Sequence, residues 1–282
     1  MIKKINRIYF YVKNFIKYIR EGGVVYSPVS FVNPNKRFKD KCVLVTGATS
    51  GIGFEIAKEM LNEGAKVIIT GRREFKLQEA IEKLGESKNL KKILWDITDV
   101  KIINNKLKEA INLFGSIDIF INNAGIYKAQ DWRQCTEEQY DTIVDTNTKS
   151  LYFICQAEGI YFENEKIKGK IINICSRNSI DAFYDPYSIS KWGAACITKG
   201  LAKELINKGI IVNGVAPGNV STNIHGENTA QDMTGNVYMP FHLTKRWVLV
   251  EEVASLVLFL SSESANNIVG QIITIDGGWT LH

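Results

Sequence analysis

The sequence predicts an α/β protein built on a single doubly wound parallel sheet with helices on both faces. Three observations predict it. Short apolar runs at Cys42–Val45, Lys66–Thr70, Ile93–Asp99 and Ile117–Ile121 alternate with segments of helical periodicity, the pattern of strands buried under helices on each side. A glycine-rich turn, Thr46-Gly47-Ala48-Thr49-Ser50-Gly51-Ile52-Gly53, separates the first run from a segment in which Ile52, Ile56, Met60 and Leu61 keep helical spacing. The 282 residues suffice for one large domain, and no internal repeat, low-complexity tract or interdomain linker interrupts them.

The first 20 residues carry Lys3, Lys4, Arg7, Lys13, Lys17 and Arg20 with no acid. Ile5, Tyr9, Val12, Ile16 and Ile19 alternate spacings of four and three, which predicts a basic amphipathic helical extension. Such a segment suits an anionic membrane surface or packs on the protein's own body or a neighbouring subunit. No run reaches the roughly 20 apolar residues of a spanning helix, and no cleavage site of a signal peptide follows. Residues 23–40, with Pro28 and Pro34, read as an irregular connector. The expected division is therefore 1–40 for extension and connector and 41–282 for the folded domain.

In the turn after the first strand, Gly47 permits the tight bend. Gly51 and Gly53 let backbone and helix approach a pyrophosphate, held by amides at the helix N-terminus. The second strand ends in Gly71-Arg72-Arg73. A dinucleotide site places an acid for the ribose 2′-hydroxyl roughly 20 residues past the glycines. Here Gly71 stands in that place and two guanidinium groups follow, a pairing that favours a 2′-phosphate and hence NADP. Glu74 is the carboxylate that would serve NAD instead. After the third strand, Asp96 can meet an adenine amino group, and Asp99 can do so or cap a helix. The fourth strand closes in Asn122-Asn123-Ala124-Gly125, where small residues let backbone lie against a ribose and the Asn side chains can hold the loop.

Tyr187-Ser188-Ile189-Ser190-Lys191 places a phenol and an ammonium one helical turn apart on one face. The ammonium is expected to lower the phenol pKa from about 10 and so fit it to exchange a proton with a carbonyl oxygen. Ser176 lies eleven positions upstream, with Ser179 as a rival.

Taken together, from about Lys41 to Gly278, these motifs with Asn147, Pro217-Gly218 and Asp276-Gly277-Gly278 resemble the short-chain dehydrogenase/reductase family of classical type, a Rossmann-like fold. The resemblance implies an oxidoreductase that interconverts a ketone and a secondary alcohol. Tyr187 would be its general acid or base, Lys191 would tune Tyr187 and hold the nicotinamide ribose, Ser176 would bind the substrate oxygen, and Asn147 would position a water in a proton relay. The cofactor set it implies is Gly47, Thr49, Ser50, Gly51, Ile52, Gly53, Arg72, Arg73, Asp96, Ile97, Asn123, Ala124, Gly125, Tyr187, Lys191, Pro217, Gly218, Val220 and Thr222. The chain departs from the family in the short Ser176-to-Tyr187 interval, in Cys175 for a second serine and in Val250 for a proline. Tyr184 has no lysine four residues on.

The resemblance further implies a substrate cover from Asn223 to Val248, holding His225, Asn228, Gln231, Met233, Asn236, Tyr238, Phe241 and Trp247. These polar and aromatic groups suit a sugar derivative or a 3-oxoacyl thioester. It also implies a homodimer or homotetramer joined through helices near 136–164 and 186–208. The alternative is a non-catalytic NADP-binding regulatory or scaffold protein on the same fold.

Composition sets the outer limits. The whole chain carries +5, so beyond the six N-terminal cations the body sits at −1, which argues against nucleic acid as a partner. Five scattered cysteines (Cys42, Cys135, Cys155, Cys175, Cys196) suggest reduced thiols in a cytoplasmic protein, and His225, His242 and His282 are too few and too dispersed for a zinc site.

Overall fold

The computed structural model describes residues 12–13, 15–16, 36–128, 131–222, 239 and 241–281. The chain divides into two compact units, Met1–Phe31 and Val32–His282. In the first, Val12 and Ile16 of the amphipathic pattern are helical and exposed, while Ile5, Tyr9 and Ile19 lie outside the described residues. The second holds the sheet.

That sheet has seven parallel strands: β1 (Cys42–Val45), β2 (Lys66–Gly71), β3 (Leu90–Leu94), β4 (Ile119–Asn122), β5 (Lys170–Ile174), β6 (Ile211–Pro217) and β7 (Ile272–Ile275), in spatial order β3-β2-β1-β4-β5-β6-β7. Side chains alternate across it. Val43 and Val45 pack into one layer with Ile56 and Met60 of α1 (Gly51–Asn62), Leu77 of α2 (Glu74–Leu84) and Val253 and Val257 of α7 (Val250–Ser261). Cys42 and Leu44 pack into the opposite layer with Leu107 of α3 (Ile103–Phe114), Phe162 of α5 (Ser150–Asn164) and Ala194 of α6 (Pro186–Leu205). Burial on both faces is why these strands read as continuous apolar runs. The strand order reverses between β1 and β4, which opens a crevice at their carboxyl ends.

Two expectations shift. The third strand runs from Leu90 to Leu94 rather than from Ile93 to Asp99, because β3 is the sheet edge. Lys91 and Leu94 face solvent there while Leu90 and Ile93 are buried, an alternation that an apolar-run criterion misses. The helical stretch expected from 136 to 164 is broken into α4 (Glu137–Val144), a π turn at Asp145–Lys149 and α5. π turns of this kind concentrate at functional sites.

Behind the sheet, Glu158 is buried to 2 % exposure. Its Oε2 accepts from Asn122 Nδ2 at 2.9 Å, and the same amide donates to Asn173 Oδ1 at 3.0 Å. Glu158 Oε1 and Asn122 Oδ1 are both buried without a partner among the described residues. A buried carboxyl oxygen without a donor favours the protonated form, and burial pushes the Glu158 carboxyl up to about 8. A folded-state pKa raised above the ordinary 4.5 means stability that is complete below about 4.5 and lost as pH rises through about 8. Glu158→Gln, which supplies the donor without the titration, should raise Tm by about 5 °C at pH 9 and by less at pH 6. A melting-temperature gap that does not widen with pH would contradict the neutral carboxyl.

Candidate active site

The glycine turn joins the end of β1 to the start of α1, at the mouth of the crevice. At Gly47 the backbone has φ +64°, and an added Cβ would lie 2.8 Å from Ala124 Cα. At Gly53 an added Cβ would collide with the Asn123 amide and lie 2.8 Å from the Gly47 carbonyl oxygen. Thr46 staples the turn to the β4 loop: its hydroxyl oxygen accepts from Asn123 N at 3.0 Å and Ala124 N at 3.1 Å. The two asparagines at the end of β4 part ways. Asn123 holds the loop as expected, donating to the carbonyls of Thr46 (3.0 Å) and Gly47 (2.9 Å), whereas Asn122 turns into the buried Glu158 network. Ser50 is the N-cap of α1 and makes no side-chain cap bond, so its hydroxyl leaves the first-turn amides of Gly51, Ile52 and Gly53 to other acceptors. Ala48 N bonds back to Thr70 O, fixing the turn against β2. This cradle fits a dinucleotide pyrophosphate, since bulk is excluded at the glycines and uncapped amides remain at a helix start.

At the end of β2, an added Cβ on Gly71 would lie 2.7 Å from Thr49 Cγ2, so a side chain there would have to displace Thr49. Arg72 and Arg73 are exposed, and the Arg73 guanidinium lies 5.6 Å from the Phe75 ring centroid. Glu74, the competing carboxylate, pairs with Lys92 Nζ at 2.6 Å. Asp96 is engaged by its own turn, its Oδ1 accepting from Thr98 N (3.0 Å) and Thr98 Oγ1 (2.8 Å), with Ile97 buried behind it. Asp99 caps the following short helical turn through Lys101 N at 3.1 Å.

A cavity of about 160 Å³ lies at the crevice. Of the residues expected at the site, Ile52, Asn123, Gly125, Ser176, Tyr187, Lys191, Pro217, Gly218, Val220 and Thr222 line it. The remaining glycines of the turn, with Thr49, Ser50, Arg72, Arg73, Asp96, Ile97, Ala124 and Asn147, stand outside its wall. Ser176 and Tyr187 line the same cavity, and Ser176 Oγ accepts from Asn178 N at 3.2 Å. Ser179 Oγ instead accepts from Ser176 N at 3.2 Å, and Ser179 does not line the cavity. Tyr184 is 78 % exposed and packs edge-on to Trp132, away from the cavity. Cys175 lines the cavity as a buried thiol whose pKa burial raises, which leaves it unreactive.

α6 presents Tyr187 and Lys191 on one face. Asp185 caps its first turn, accepting from Ser188 N (2.9 Å) and Ser188 Oγ (2.7 Å), with Pro186 at the first helical position. The Tyr187 ring meets Tyr127 edge-on at 4.9 Å. The electrostatics differ from the simple pairing read in the sequence. Burial is the largest influence on Tyr187 and pushes its phenol up, against the hydrogen bond from Ser176, which lowers it. Lys191 Nζ stands 5.7 Å from the Tyr187 ring centroid and donates to Ile174 O at 3.0 Å. Burial also pushes the Lys191 ammonium down. Burial, rather than the partner, is the largest influence on each group.

Asn147 sits in the π turn, 3 % exposed. Its Oδ1 accepts from Ile126 N (2.9 Å), and its Nδ2 donates to Ile126 O (2.9 Å) and Ser190 Oγ (3.1 Å). The side-chain amide is thus occupied in tying the β4 loop to α6. On the far wall, Val220 bridges Val248, with Val248 N donating to Asn219 O and Ser221 N to Val248 O, each at 3.0 Å. The two ends of the expected cover are therefore clasped beside the cavity. His225, Asn228, Gln231, Met233, Asn236 and Tyr238 lie outside the described residues.

Ile126, Tyr127, Ile174, Arg177 and Asn178 also line the cavity and escaped the sequence reading. Arg177 follows Ser176 in a short helical turn and lines the cavity beside it. The signal was a cation next to the candidate serine. Among the described residues, no group of three or more His, Cys, Asp or Glu side chains converges to hold a metal.

Comparison with known proteins agrees with this geometry. The sequence profile of the family described as short chain dehydrogenase matches residues 41–233. Gluconate 5-dehydrogenase of Gluconobacter oxydans is 32 % identical over 242 residues, which span 84 % of this chain and 94 % of that enzyme. Acetoacetyl-CoA reductase of an Acinetobacter strain is 31 % identical over 249 residues, covering 86 % and 99 % of the two chains. A crystal structure of a short chain dehydrogenase from Bacillus anthracis superposes with a TM-score of 0.79 at 30 % identity, over 86 % of this chain and 98 % of that one.

Proposed function

This chain belongs to the short chain dehydrogenase family, and from that premise we propose that it is an NADP-preferring oxidoreductase interconverting a ketone and a secondary alcohol. The observation that carries the proposal is the convergence of Ser176, Tyr187 and Lys191 on one cavity beside the glycine turn. The nicotinamide cofactor, when bound, supplies the hydride chemistry. Gly47, Thr49, Ser50, Gly51, Ile52 and Gly53 would hold its pyrophosphate, Asp96 and Ile97 would border the adenine, and Asn123, Ala124 and Gly125 the ribose. Pro217, Gly218, Val220 and Thr222 would line the nicotinamide. Arg72 and Arg73 support a preference for a 2′-phosphate, because no acid stands at Gly71 and Glu74 is drawn to Lys92.

In reduction, Tyr187 passes its phenolic proton to the substrate oxygen, and in oxidation it takes that proton back. Ser176 hydrogen-bonds the same oxygen and stabilises its developing charge. Lys191 holds the cofactor ribose and supplies positive charge behind the phenol. Asn147, its side chain committed to Ile126 and Ser190, positions a water through its backbone in the π turn.

The substrate classes named for the relatives, a sugar acid and an acyl thioester, frame the search. Fluorescence titration with NADPH and NADH, followed by turnover of ketones, oxo acids, ketosugars and acyl thioesters, tests the reading. Tighter NADPH binding with turnover of one class is expected; binding without turnover of any would favour a non-catalytic cofactor-binding protein.

The exposed apolar residues Tyr152 and Ile160 of α5 and Ile189 and Trp192 of α6 support a homodimer or homotetramer joined through these helices, which light scattering measures. We also propose a cytoplasmic protein with peripheral membrane contact through residues 1–20, supported by the exposed Val12 and Ile16 and tested by sedimentation with anionic liposomes. No helix among the described residues is long and apolar enough to cross a membrane.

A further inference from the structure

We propose that Arg177 anchors a carboxylate of the substrate, so that the ketone accepted by this cavity is a short oxo acid and the alcohol a hydroxy acid. The inference rests on the reading of the cavity as a carbonyl–alcohol site and narrows its substrate class.

Arg177 is a cation largely withdrawn from water and incompletely partnered among the described residues. The Arg177 side chain is 12 % exposed. A guanidinium carries five N–H donors in one plane. Among the described residues only one of them is engaged, Nη1 donating to Asp181 Oδ2 at 3.2 Å. The other carboxylates near the cavity are committed elsewhere. Asp276 accepts from Gly278 N (3.0 Å) and Thr280 N (2.9 Å), and Asp185 accepts from Ser188 N and Oγ. Removing a cation from water and leaving most of its donors unused is costly unless an anion completes the site.

Trp279 lies 3.4 Å from the guanidinium carbon at its ring centroid, and Phe183 lies 4.8 Å away. The ring of Phe241 stacks on Trp279 at 5.0 Å and 10°, backing it from the far side of the expected cover. Aromatic stacking occupies the face of a guanidinium and leaves its edge, where the N–H groups lie, for a planar oxyanion. That edge belongs to a residue lining the same cavity as Ser176, Tyr127 and Tyr187. Arg177 immediately follows Ser176 and lines the same cavity, so the proposal seats the carboxylate on its fork and the reacting oxygen on Ser176 and Tyr187 within one short molecule. A thioester offers no charge at that distance, and a neutral ketone leaves the fork empty. Asp181 balances part of the charge from the solvent side, where its carboxylate is 36 % exposed.

The alternative role for Arg177 is structural, a strap binding the C-terminal Trp279 to the loop after β5. The two roles separate in a ratio. Turnover with NADPH is measured for 3-oxobutanoate and 4-oxopentanoate, each beside its methyl ester, in the wild type, Arg177→Gln and Arg177→Lys. A charge-assisted bidentate pair should make kcat/KM for the acid about 10–100-fold higher than for its ester in the wild type. The ratio should fall to about 1 in Arg177→Gln and lie between in Arg177→Lys, which keeps the charge but not the fork. A strap would lower acid and ester together and leave the ratio unmoved, overturning the proposal even where the variant is less stable. An activity-independent readout is tryptophan fluorescence titrated with malonate. A saturable response in the wild type that is absent in Arg177→Gln is expected, and equal or absent responses in both overturn the proposal. Reduction of the esters with no preference for the acids sinks this inference and leaves the oxidoreductase reading standing. Failure of every carbonyl compound with both NADPH and NADH sinks the two together.

Discussion

Tyr187→Phe should bind NADPH as tightly as the wild type and reduce ketones about 10²–10⁴-fold more slowly, the range by which a positioned acid–base group accelerates a reaction. The substitution removes one oxygen from a ring whose packing against Tyr127 at 4.9 Å stays intact. Cofactor titration and single-turnover kinetics on the same preparation separate the two effects. The pH profile supplies an independent check. Burial pushes the Tyr187 phenol up, so the protonated form that reduction needs prevails at neutral pH, and the phenolate that oxidation needs accumulates only toward alkaline pH. Alcohol oxidation should therefore rise with pH, ketone reduction should fall over the same range, and both trends should vanish in the residual activity of the variant. Undiminished turnover in Tyr187→Phe would remove the phenol from the chemistry and transfer the search for an acid to Lys191 or a bound water.

The double substitution Arg72→Ala with Arg73→Ala should weaken NADPH about 100-fold and change NADH by less than about 3-fold, given about 1.5–3 kcal/mol for each charged hydrogen bond to phosphate less screening at an exposed site. Both guanidinium groups stand at the end of β2, where Thr49 closes on Gly71 and Lys92 holds Glu74 at 2.6 Å. Because these cations are exposed, wild-type affinity for NADPH should decline with added KCl, and the variant should be nearly insensitive. Equal weakening of the two nucleotides would mean that Arg72 and Arg73 only support the start of α2. A further substitution of Lys92 then becomes informative, since freeing Glu74 should shift whatever preference remains toward NADH.

The contrast between Asn122 and Asn123 shows where local reading ends. Asn122 ends β4 and Asn123 follows it, and both look like loop asparagines, yet Asn123 bonds the Thr46 and Gly47 carbonyls and Asn122 bonds Glu158 and Asn173. Successive side chains of a strand point to opposite faces, so their fates depend on what the fold packs there. The third strand was misread for a related reason: whether lysines are tolerated in a strand depends on whether it lies at the edge, and that is a property of the sheet order.

What the sequence by itself determined is therefore whatever is encoded within a few residues. It determined the doubly wound parallel class, the glycine turn between β1 and α1, the single face carrying Tyr187 and Lys191, and the cationic end of β2. Turn chemistry and the periods of 2 and 3.6 act over such distances and need no knowledge of partners. The tertiary structure alone decided the rest. It placed Ser176 rather than Ser179 against the cavity, occupied the Asn147 amide with Ile126, and let burial rather than Lys191 dominate the protonation of Tyr187. It also stacked Arg177 on a tryptophan from the far end of the chain. Desolvation and aromatic stacking arise from groups distant in sequence that meet only when the sheet closes, so no local pattern carries them.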